Sequence, residues 1–365
     1  MKIILVSSQW SENRKTGLGY CASFHRDILK NLGHEVITIG PKKSKTNYEI
    51  EAVTRIDLLY NYIKTSRYIK NILKNEKPEI VIIESLQNVL SEIFINITSK
   101  MRIKNILISH GISITPYKFK IKYILRFIIW IPYLMILFFL LKKIDILLTL
   151  DSSPNSLRHI DTIFYKKFYK KKTLYQYSNF SRLENNQYSK QKIKSKTKSI
   201  LLIGYLDPIK NQIDFLKIAN NLNNKDLIFK IIFSEYDKNY LEKINNFMQK
   251  YEMKNIELID SNKVNIRDEI NSCWLILNTS ITEVIPMTIF EAMSNNKLYL
   301  SYDIGSIKKI PEVIVNKNIE QMIFNINSLY NNDELYNQLC SNLKDNYYQK
   351  YSIKKLSEQF KRVIC

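Results

Sequence analysis

The sequence predicts an α/β protein built from two doubly wound domains, each with a mostly parallel sheet between layers of helices. Short apolar runs, typical of strands buried on both faces, alternate with longer stretches of helical periodicity, and this alternation occurs twice along the chain. The length of 365 residues also exceeds what one hydrophobic core usually accommodates. In such folds, ligands bind at the carboxyl ends of the strands.

The predicted strands of the first domain, residues 1–180, are short runs rich in Ile, Leu and Val. They span 2–7, 34–40, 79–84, 104–109 and 144–150. Helical patterns lie between them at 18–32, 55–75 and 86–101. The strand at 2–7 is too short an apolar run for a signal peptide.

Two features of the first domain follow strands, where a site is expected. Gly17-Leu18-Gly19 belongs to the loop after the first strand, and His110-Gly111 ends the strand at 104–109. The glycine pair alone also fits a tight strand-to-helix turn, because the third glycine of a dinucleotide fingerprint is missing. His110 alone also fits a structural histidine at a strand end. Both interpretations stay open at this point.

A polar and basic stretch, residues 181–198, is typical of an interdomain linker, and a second α/β pattern follows it over residues 199–350. The predicted strands of the second domain span 199–204, 227–233, 256–260, 274–278 and 297–302. Three helices finish the chain near 318–329, 333–346 and 352–364. We expect the C-terminal helix, 351–365, to pack back toward the first domain.

The stretch from residue 279 to 312 holds two glutamates eight positions apart, Glu283 and Glu291, with Pro286 between them. Proline suits the first turn of a helix, so Glu283 is expected in a loop and Glu291 inside the helix that follows. The start of a helix offers N–H groups and a partial positive charge to a phosphate. The pattern therefore suits a nucleotide-sugar site, although a simple helix cap before an amphipathic helix is the alternative.

The formal net charge of +21 indicates an anionic partner. Residues 101–172 contain fourteen Lys and Arg against three acids, and this region includes an uncharged run from 127 to 141. Fifteen helical residues span about 22 Å, which is short of the ~30 Å hydrocarbon core. The segment 116–143 is thus either a buried helix or an interfacial helix at an anionic membrane surface. The expected membrane-contact residues are basic: Lys118, Lys120, Lys122, Arg126, Lys142 and Lys143.

The charge favours a membrane surface over nucleic acid, because a nucleic-acid groove would intersperse stacking aromatics with basic residues along a polar surface. Four scattered cysteines form no CxxC pair, which argues against a zinc site and a disulfide framework and favours a reducing cytosol. We therefore expect a cytoplasmic protein, peripheral at the inner face of the cell membrane, with no nucleic-acid partner.

Several stretches together resemble the retaining glycosyltransferases of family 4, which have the GT-B fold of two facing Rossmann-like domains with an interdomain cleft. The resemblance rests on the first glycine loop, His110-Gly111, Gly204 with Lys210, Glu283-x7-Glu291 and Asp303-x-Gly305, in that order. It spans nearly the whole chain and is strongest from residue 198 to 312. Within this family, the chain is similar to the bacterial enzymes that build surface polysaccharides such as capsule or O-antigen.

The resemblance implies a role for each matching residue. Glu291 would bind the ribose hydroxyls, and Glu283 would contact the donor sugar near the reacting carbon. Lys210, with the amides near Thr288 and Ile289, would hold the diphosphate. His110 would face the donor sugar. Gly17 and Gly19 would let the backbone approach the phosphate. The donor would be a UDP- or GDP-linked sugar, and the acceptor a lipid-linked or other glycan. No metal or other cofactor is expected, since the chain has no Asp-x-Asp pair.

The chain departs from the family pattern at several positions, among them residues 234–236, which replace a glycine-rich turn after the strand at 227–233. Tyr205 stands where the family usually has an arginine, Val284 replaces a glycine, and Lys309 replaces a glutamate. Another cation could replace the arginine, and Lys15, Arg182 and Lys308 are the candidates. The departures also leave a second hypothesis open, in which the chain is a weak or inactive relative that acts as a binding subunit in polysaccharide assembly.

Overall fold

In a computed structural model of the chain, the described residues are 1–12, 16–51, 60–86, 88–112, 132–151, 159–184, 198–222, 224 and 226–364. They form two units. The first unit comprises Met1–Ser178 together with Leu356–Cys365, and the second unit comprises Asn179–Lys355. The predicted linker falls largely on residues outside this description, but residues 179–184 belong to the second unit.

The first unit contains a seven-stranded sheet in the order β3-β2-β1-β4-β5-β6-β7, with every neighbouring pair parallel. Its strands are β1 (Lys2–Ser7), β2 (Glu35–Pro41), β3 (Tyr48–Ile50), β4 (Ile80–Glu84), β5 (Lys104–Ser109), β6 (Ile146–Thr149) and β7 (Thr173–Gln176). Its helices are α1 (Gly17–Asn31), α2 (Tyr62–Glu76), α3 (Val89–Met101) and α4 (Ile160–Phe168), with further helical residues at 132–141.

The second unit contains a six-stranded parallel sheet in the order β10-β9-β8-β11-β12-β13. Its strands are β8 (Lys198–Ile203), β9 (Leu227–Phe233), β10 (Ile256–Asp260), β11 (Leu275–Asn278), β12 (Leu298–Tyr302) and β13 (Ile314–Asn316). Its helices are α5 (Gln212–Leu222), α6 (Lys238–Lys250), α7 (Ile266–Ser272), α8 (Met287–Ser294), α9 (Ile319–Tyr330) and α10 (Asp333–Lys350). The last helix, α11 (Ile353–Ile364), begins in this unit and ends in the first.

The central strands of both sheets are buried on both faces. β4 is buried along its whole length, as are the first-sheet strand β6 and the second-sheet strand β11. Uninterrupted apolar runs are what such strands require, since side chains on both pleat faces lie in the core. The strand order reverses beside β1 in the first sheet and beside β8 in the second, which is where doubly wound sheets bind ligands. The predicted α/β fold of two doubly wound domains is confirmed.

Three strands lack a counterpart in the sequence prediction: β3, β7 and β13. Each is only three or four residues long and lies at an edge of its sheet. β7 is mostly exposed. Short strands with one covered face carry too few apolar residues to give a clear signal, so the sequence pattern missed them.

Gly17 and Gly19 lie in the first turn of α1 and not in the loop before it. Thr16 caps this helix, and its side-chain oxygen accepts a hydrogen bond from the Gly19 N–H at 3.0 Å. Threonine is a common N-cap, and this one satisfies a donor that the helix leaves open. The sequence placed the start of this helix at about residue 18, so the helix begins one residue earlier than predicted and includes both glycines.

Candidate functional site

The loop after β8 forms a tight turn that presents Lys210. The Ile209 N–H donates to the Asp207 carboxylate at 2.5 Å, and the Lys210 N–H donates to the Asp207 carbonyl at 2.9 Å. Asn211 then adopts a left-handed conformation, with φ of 53°, before α5 begins. Aspartate and asparagine favour such turns because their side chains replace backbone partners. The side chain of Lys210 is thereby fixed at the carboxyl edge of the sheet.

The loop after β11 is bound to this turn. The Ile281 N–H donates to the Ile209 carbonyl at 2.7 Å. The Thr279 hydroxyl lies 3.1 Å from the Lys210 carbonyl and 3.0 Å from the Asn211 carbonyl, to which it donates. These bonds place Glu283 beside Lys210, and the two side chains form an ion pair. The Ser280 hydroxyl also donates to the Glu283 carboxylate at 3.2 Å. Both members of the pair remain partly exposed.

Gly305, two residues beyond Asp303, supports the same loop from β12. Its φ is +54°, and a Cβ atom at this position would lie 2.1 Å from the Val284 carbonyl oxygen and 2.4 Å from that of Glu283. The adjacent Ser306 N–H donates to the Val284 carbonyl at 3.1 Å. Only glycine fits so close to another backbone, and its freedom at positive φ is also needed here. The Asp-x-Gly motif therefore holds the loop that carries Glu283.

Glu291 is fully buried in the second turn of α8, where the sequence predicted it. One carboxylate oxygen forms an ion pair with Arg182, and the other has no hydrogen-bond partner among the described residues. A buried carboxylate oxygen without a donor is costly, so this atom is a natural acceptor for a hydroxyl group. Arg182 was one of three cations that the sequence suggested for this region. Of the other two, Lys308 pairs with Asp303 and Lys15 lies outside the described residues.

The segment that carries Arg182 is anchored within the second unit. The Ser181 N–H donates to the Tyr347 hydroxyl at 3.1 Å, and the Ser294 hydroxyl donates to that of Ser181 at 2.7 Å. The Asn179 amide donates to the Ile285 carbonyl at 3.2 Å, just before α8. These contacts fix Arg182 against the helix that holds Glu291.

The start of α8 carries no acidic residue and no side-chain cap. Pro286 is its N-cap, one position earlier than the sequence predicted, and Met287 begins the helix. The Thr288 hydroxyl bonds with the Tyr299 hydroxyl at 3.0 Å, while Ile289 is buried. The Ile289 N–H makes a long bond of 3.4 Å to the Pro286 carbonyl. The first turn itself contains no acidic residue, which suits an anion.

In the first unit, His110 belongs to a cluster that the sequence did not reveal. Glu84, the last residue of β4, is fully buried and accepts hydrogen bonds from two imidazoles. His25 Nδ1 lies 2.6 Å from one carboxylate oxygen, and His110 Nε2 lies 2.7 Å from the other. Tyr177 approaches the second ring nitrogen of His110, with 3.5 Å between the hydroxyl and Nδ1.

Burial by itself disfavours the charged form of Glu84, but the two imidazoles outweigh it and lower the pKa of this carboxyl to about 2. Burial also raises the pKa of the Tyr177 hydroxyl well above its usual value. The cluster therefore holds an ionised carboxylate beside a neutral phenol. A sequence signal for Glu84 did exist, because an acid that ends a buried strand at the point of strand reversal is unusual.

The described part of the segment 116–143 exposes apolar side chains. Met135 is 61% exposed and Phe139 is 59% exposed on the helical stretch 132–141. Phe138 packs on Phe168 at the end of α4, with 5.2 Å between ring centroids, and Phe168 is itself 50% exposed. Exposed lysines lie at the ends of both stretches: Lys142, Lys166, Lys167, Lys170 and Lys171. The structure thus joins an apolar surface with basic residues from two elements.

The predicted membrane-contact residues have different outcomes. Lys142 is exposed, whereas the Lys143 ammonium is half-buried and donates to the Asn96 side chain at 2.5 Å. Lys118, Lys120, Lys122 and Arg126 lie outside the described residues. Among the helices that the structure describes, none is long and apolar enough to cross a membrane. Nor do the described residues contain a cluster of three His, Cys, Asp or Glu side chains that could hold a metal ion.

Residues 184–346 match the family described as glycosyl transferases group 1. The matched region includes Lys210, Glu283, Glu291 and Gly305, so the second unit carries a glycosyltransferase group 1 domain. The enzyme class predicted from the sequence, a glycosyltransferase, is thereby confirmed. No curated protein sequence matches the chain significantly.

Solved structures show the same fold along the whole chain. HepE of Anabaena, in complex with UDP and glucose, aligns with a TM-score of 0.78 at 11% identity, over 100% of this chain and 99% of HepE. Sucrose-phosphate synthase of Thermosynechococcus elongatus aligns with a TM-score of 0.76 at 12% identity, over 99% and 98% of the two chains. The lipopolysaccharide outer core galactosyltransferase WaaB aligns with a TM-score of 0.67 at 15% identity, over 100% and 99%. These similarities confirm the GT-B type of fold.

The close approach of Gly305 to the loop at 283–284 makes a stability prediction. Gly305→Ala should destabilise the protein by about 2 kcal/mol or more, because the new methyl group overlaps two carbonyl oxygens at a positive φ. Gly204→Ala is the matched control, since its Cβ would meet nothing nearer than the Lys210 Cδ, at 3.6 Å. Urea unfolding of both variants measures the difference. Equal midpoints would contradict the proposed contact.

The low pKa of Glu84 predicts a pH-dependent contribution to stability. The folded-state pKa, about 2, lies below the ordinary value of 4.5, so the stabilisation is fully present above pH 4.5 and is lost as the pH falls toward 2. Glu84→Gln should therefore lower the free energy of unfolding by on the order of 3 kcal/mol at pH 7. The difference between wild type and variant should stay constant from pH 7 to 5 and shrink below pH 4.5. A difference that does not change with pH would contradict this assignment.

Proposed function

We propose that this chain, which carries a glycosyltransferase group 1 domain, is a retaining glycosyltransferase of family 4. It transfers a sugar from a nucleotide-diphosphate donor to a lipid-linked or surface-polysaccharide acceptor. The reaction takes place in the cytoplasm, at the inner face of the cell membrane. One observation supports the donor half of this proposal most directly. Two glutamates lie on either side of the start of α8, and each forms an ion pair: Glu283 with Lys210, and Glu291 with Arg182.

Each group of the second unit has a task in this proposal. Glu291 accepts ribose hydroxyls, and its second carboxylate oxygen has no competing donor in the part of the chain that the structure describes. Lys210 and the first-turn amides near Thr288 and Ile289 hold the diphosphate. Glu283, in the loop before the helix, contacts the donor sugar. This arrangement of carboxylates, a lysine and amides fits a nucleotide-sugar donor. Its hydroxyls need hydrogen-bond acceptors, and its diphosphate needs cations and N–H groups.

The chemistry requires charge stabilisation on the leaving group. The bond between the sugar carbon and the diphosphate oxygen breaks, and the nucleoside diphosphate departs with the bonding electrons. The acceptor hydroxyl bonds to the same carbon on the same face and loses its proton. Lys210 and the positive end of α8 stabilise the charge that develops on the departing oxygen. In the first unit, His110 is the proposed catalytic group toward the sugar, and the start of α1 with Gly17 and Gly19 offers backbone N–H groups.

The donor is proposed to carry UDP or GDP, and UDP is the first to test because the similar HepE structure holds UDP and glucose. The proposal includes no metal ion. Lys210 and Arg182 supply the positive charge that a divalent cation provides in other nucleotide-sugar sites.

A weak or inactive relative remains the second candidate. Tyr205 contributes a hydroxyl where the family pattern places an arginine, so one charge toward the diphosphate is missing. Lys210 and Arg182 are both paired with carboxylates. The pairing reduces the positive electrostatic potential that would attract an incoming anion. Such a chain would bind a donor or a partner protein within polysaccharide assembly without turning the donor over.

A donor screen separates the two candidates. Purified protein is incubated with UDP-, GDP- and ADP-sugars, and release of the nucleoside diphosphate is measured. We expect one donor to be hydrolysed slowly and to bind in calorimetry. Glu291→Ala should abolish that binding, because the ribose hydroxyls lose their acceptor. Glu242→Ala, an exposed position on α6, is the matched control and should bind normally.

The outcomes of this screen are distinct. Turnover of one donor supports the enzyme. Binding without turnover favours the inactive relative. Normal donor affinity in Glu291→Ala contradicts the site. Binding of none of the sugars contradicts the enzyme and favours a binding subunit that recognises a partner protein.

The membrane surface proposed for the first unit is also testable. Its apolar part is Met135, Phe139 and Phe168, and its exposed lysines include Lys142, Lys170 and Lys171. Changing these three lysines to glutamate should lower partitioning onto phosphatidylglycerol vesicles by at least about 100-fold, since each lysine near an anionic surface contributes on the order of 1 kcal/mol.

The control for this experiment has the same net charge. Three exposed lysines of the second unit, Lys243, Lys254 and Lys263, are changed to glutamate instead. A co-sedimentation assay compares both triple variants with wild type, on anionic and on neutral vesicles. Equal loss in the two variants would show a general effect of charge and contradict a defined membrane surface.

A further inference from the structure

The carboxylate of Glu84 is the most constrained ionised group in the first unit. It is fully buried at the end of β4, and each of its oxygens has one imidazole partner, at 2.6 Å from His25 and 2.7 Å from His110. The next residue, Ser85, has a φ of +65°, and its N–H donates to the Ile108 carbonyl of β5 at 2.9 Å. A left-handed serine is unfavourable by itself and persists where the surroundings require it. The backbone on both sides of the carboxylate is therefore fixed.

These contacts determine which nitrogen of His110 carries the proton. An ionised carboxylate has acceptor oxygens and no donor. Both imidazoles must therefore donate: His25 through Nδ1–H and His110 through Nε2–H. Once Nε2 is committed to Glu84, Nδ1 is the acceptor nitrogen of His110, and the Tyr177 hydroxyl lies 3.5 Å from it.

The rest of the cluster restricts rotation of the two rings. The His25 and His110 rings are stacked, with 6.4 Å between centroids. Phe360 of α11 packs on His25 at 4.8 Å, and Tyr177 stands edge-on to His110 at 6.3 Å. Cys21, on α1, is the other titratable group beside Tyr177. Only the side chain of His110 keeps an exposed edge, 14% of its surface, while those of Glu84 and His25 have none.

We propose that Glu84 is a positioning residue for the transfer reaction: it fixes the orientation and the Nε2–H tautomer of His110, the histidine that faces the sugar in the proposed function. His25 is the second donor that keeps the carboxylate in place. This inference rests on the proposed function only for the role of His110 toward the substrate. The buried bridge from His25 through Glu84 to His110 exists independently of any substrate.

The tautomer itself is the first test, and it needs no activity. The chain has only four histidines, so ¹⁵N-histidine NMR gives few signals, and His110→Gln assigns the one in question. We expect Nε2 of His110 to be protonated in the wild type, with a proton shifted downfield by the short bond to Glu84. Glu84→Gln should remove that shift and allow both tautomers. An unprotonated Nε2 of His110 in the wild type, or an unchanged His110 signal in Glu84→Gln, would overturn the proposal.

Kinetics provide the second test, with the sugar donor that the screen identifies. Glu84→Gln should lower kcat by about 10- to 100-fold, the usual effect of removing a partner that orients a functional histidine, and should leave the donor KM nearly unchanged. Glu84→Asp should restore part of kcat, because it keeps the charge. Glu242→Gln is the matched control on an exposed helix position.

A double-variant cycle separates positioning from a general structural effect. If Glu84 acts through His110, Glu84→Gln should change kcat by less than about twofold in a His110→Ala background. Additive losses would mean that Glu84 acts on folding or on another group, and would overturn the positioning role. Should the wild type turn over no donor, the proposed function fails, while the NMR result still decides whether Glu84 fixes the tautomer.

Discussion

The ion pair between Lys210 and Glu283 joins two loops that are far apart in the chain but follow neighbouring parallel strands. β8 and β11 are paired in parallel, so their carboxyl ends meet at one edge of the sheet. The backbone bonds between residues 209 and 281 then fix the spacing of the loops, and Gly305 supports them from β12. The chemistry of the second unit depends on this register, since a shift of one residue would turn either side chain to the opposite face.

The two units use carboxylates under different electrostatic conditions. Glu283 and Lys210 are partly exposed, so exchanging one for a phosphate costs little, because water already screens the pair. Glu84 is fully buried, and removing either imidazole would leave one oxygen of a buried carboxylate without that donor. An exchangeable pair suits a group that binds and releases substrate, whereas a permanent one suits a group that holds another side chain in place.

Much of this arrangement follows from local sequence. The long apolar strands, Pro286 beside the start of α8, and the glutamates at 283 and 291 were all evident, because each has a local signal in residue type and spacing. The edge strands were missed because three or four half-exposed residues carry no clear period. The Glu84 bridge was missed for another reason: His25, Glu84 and His110 are brought together only by the order of β1, β4 and β5 in the sheet.

Tyr205 shows how tertiary structure changes the meaning of a sequence departure. In the sequence alone, a tyrosine in place of the family's arginine means one cation fewer for the proposed donor site. In the structure, Arg182 provides a guanidinium from outside the motif and places it on Glu291. Lys210 and Arg182 balance Glu283 and Glu291, so the four side chains together are neutral. A nucleoside diphosphate entering such a site would have to exchange partners with the existing pairs. Its binding would then depend on the amides of α8 as much as on net charge, because the first turn of that helix contains no acidic residue.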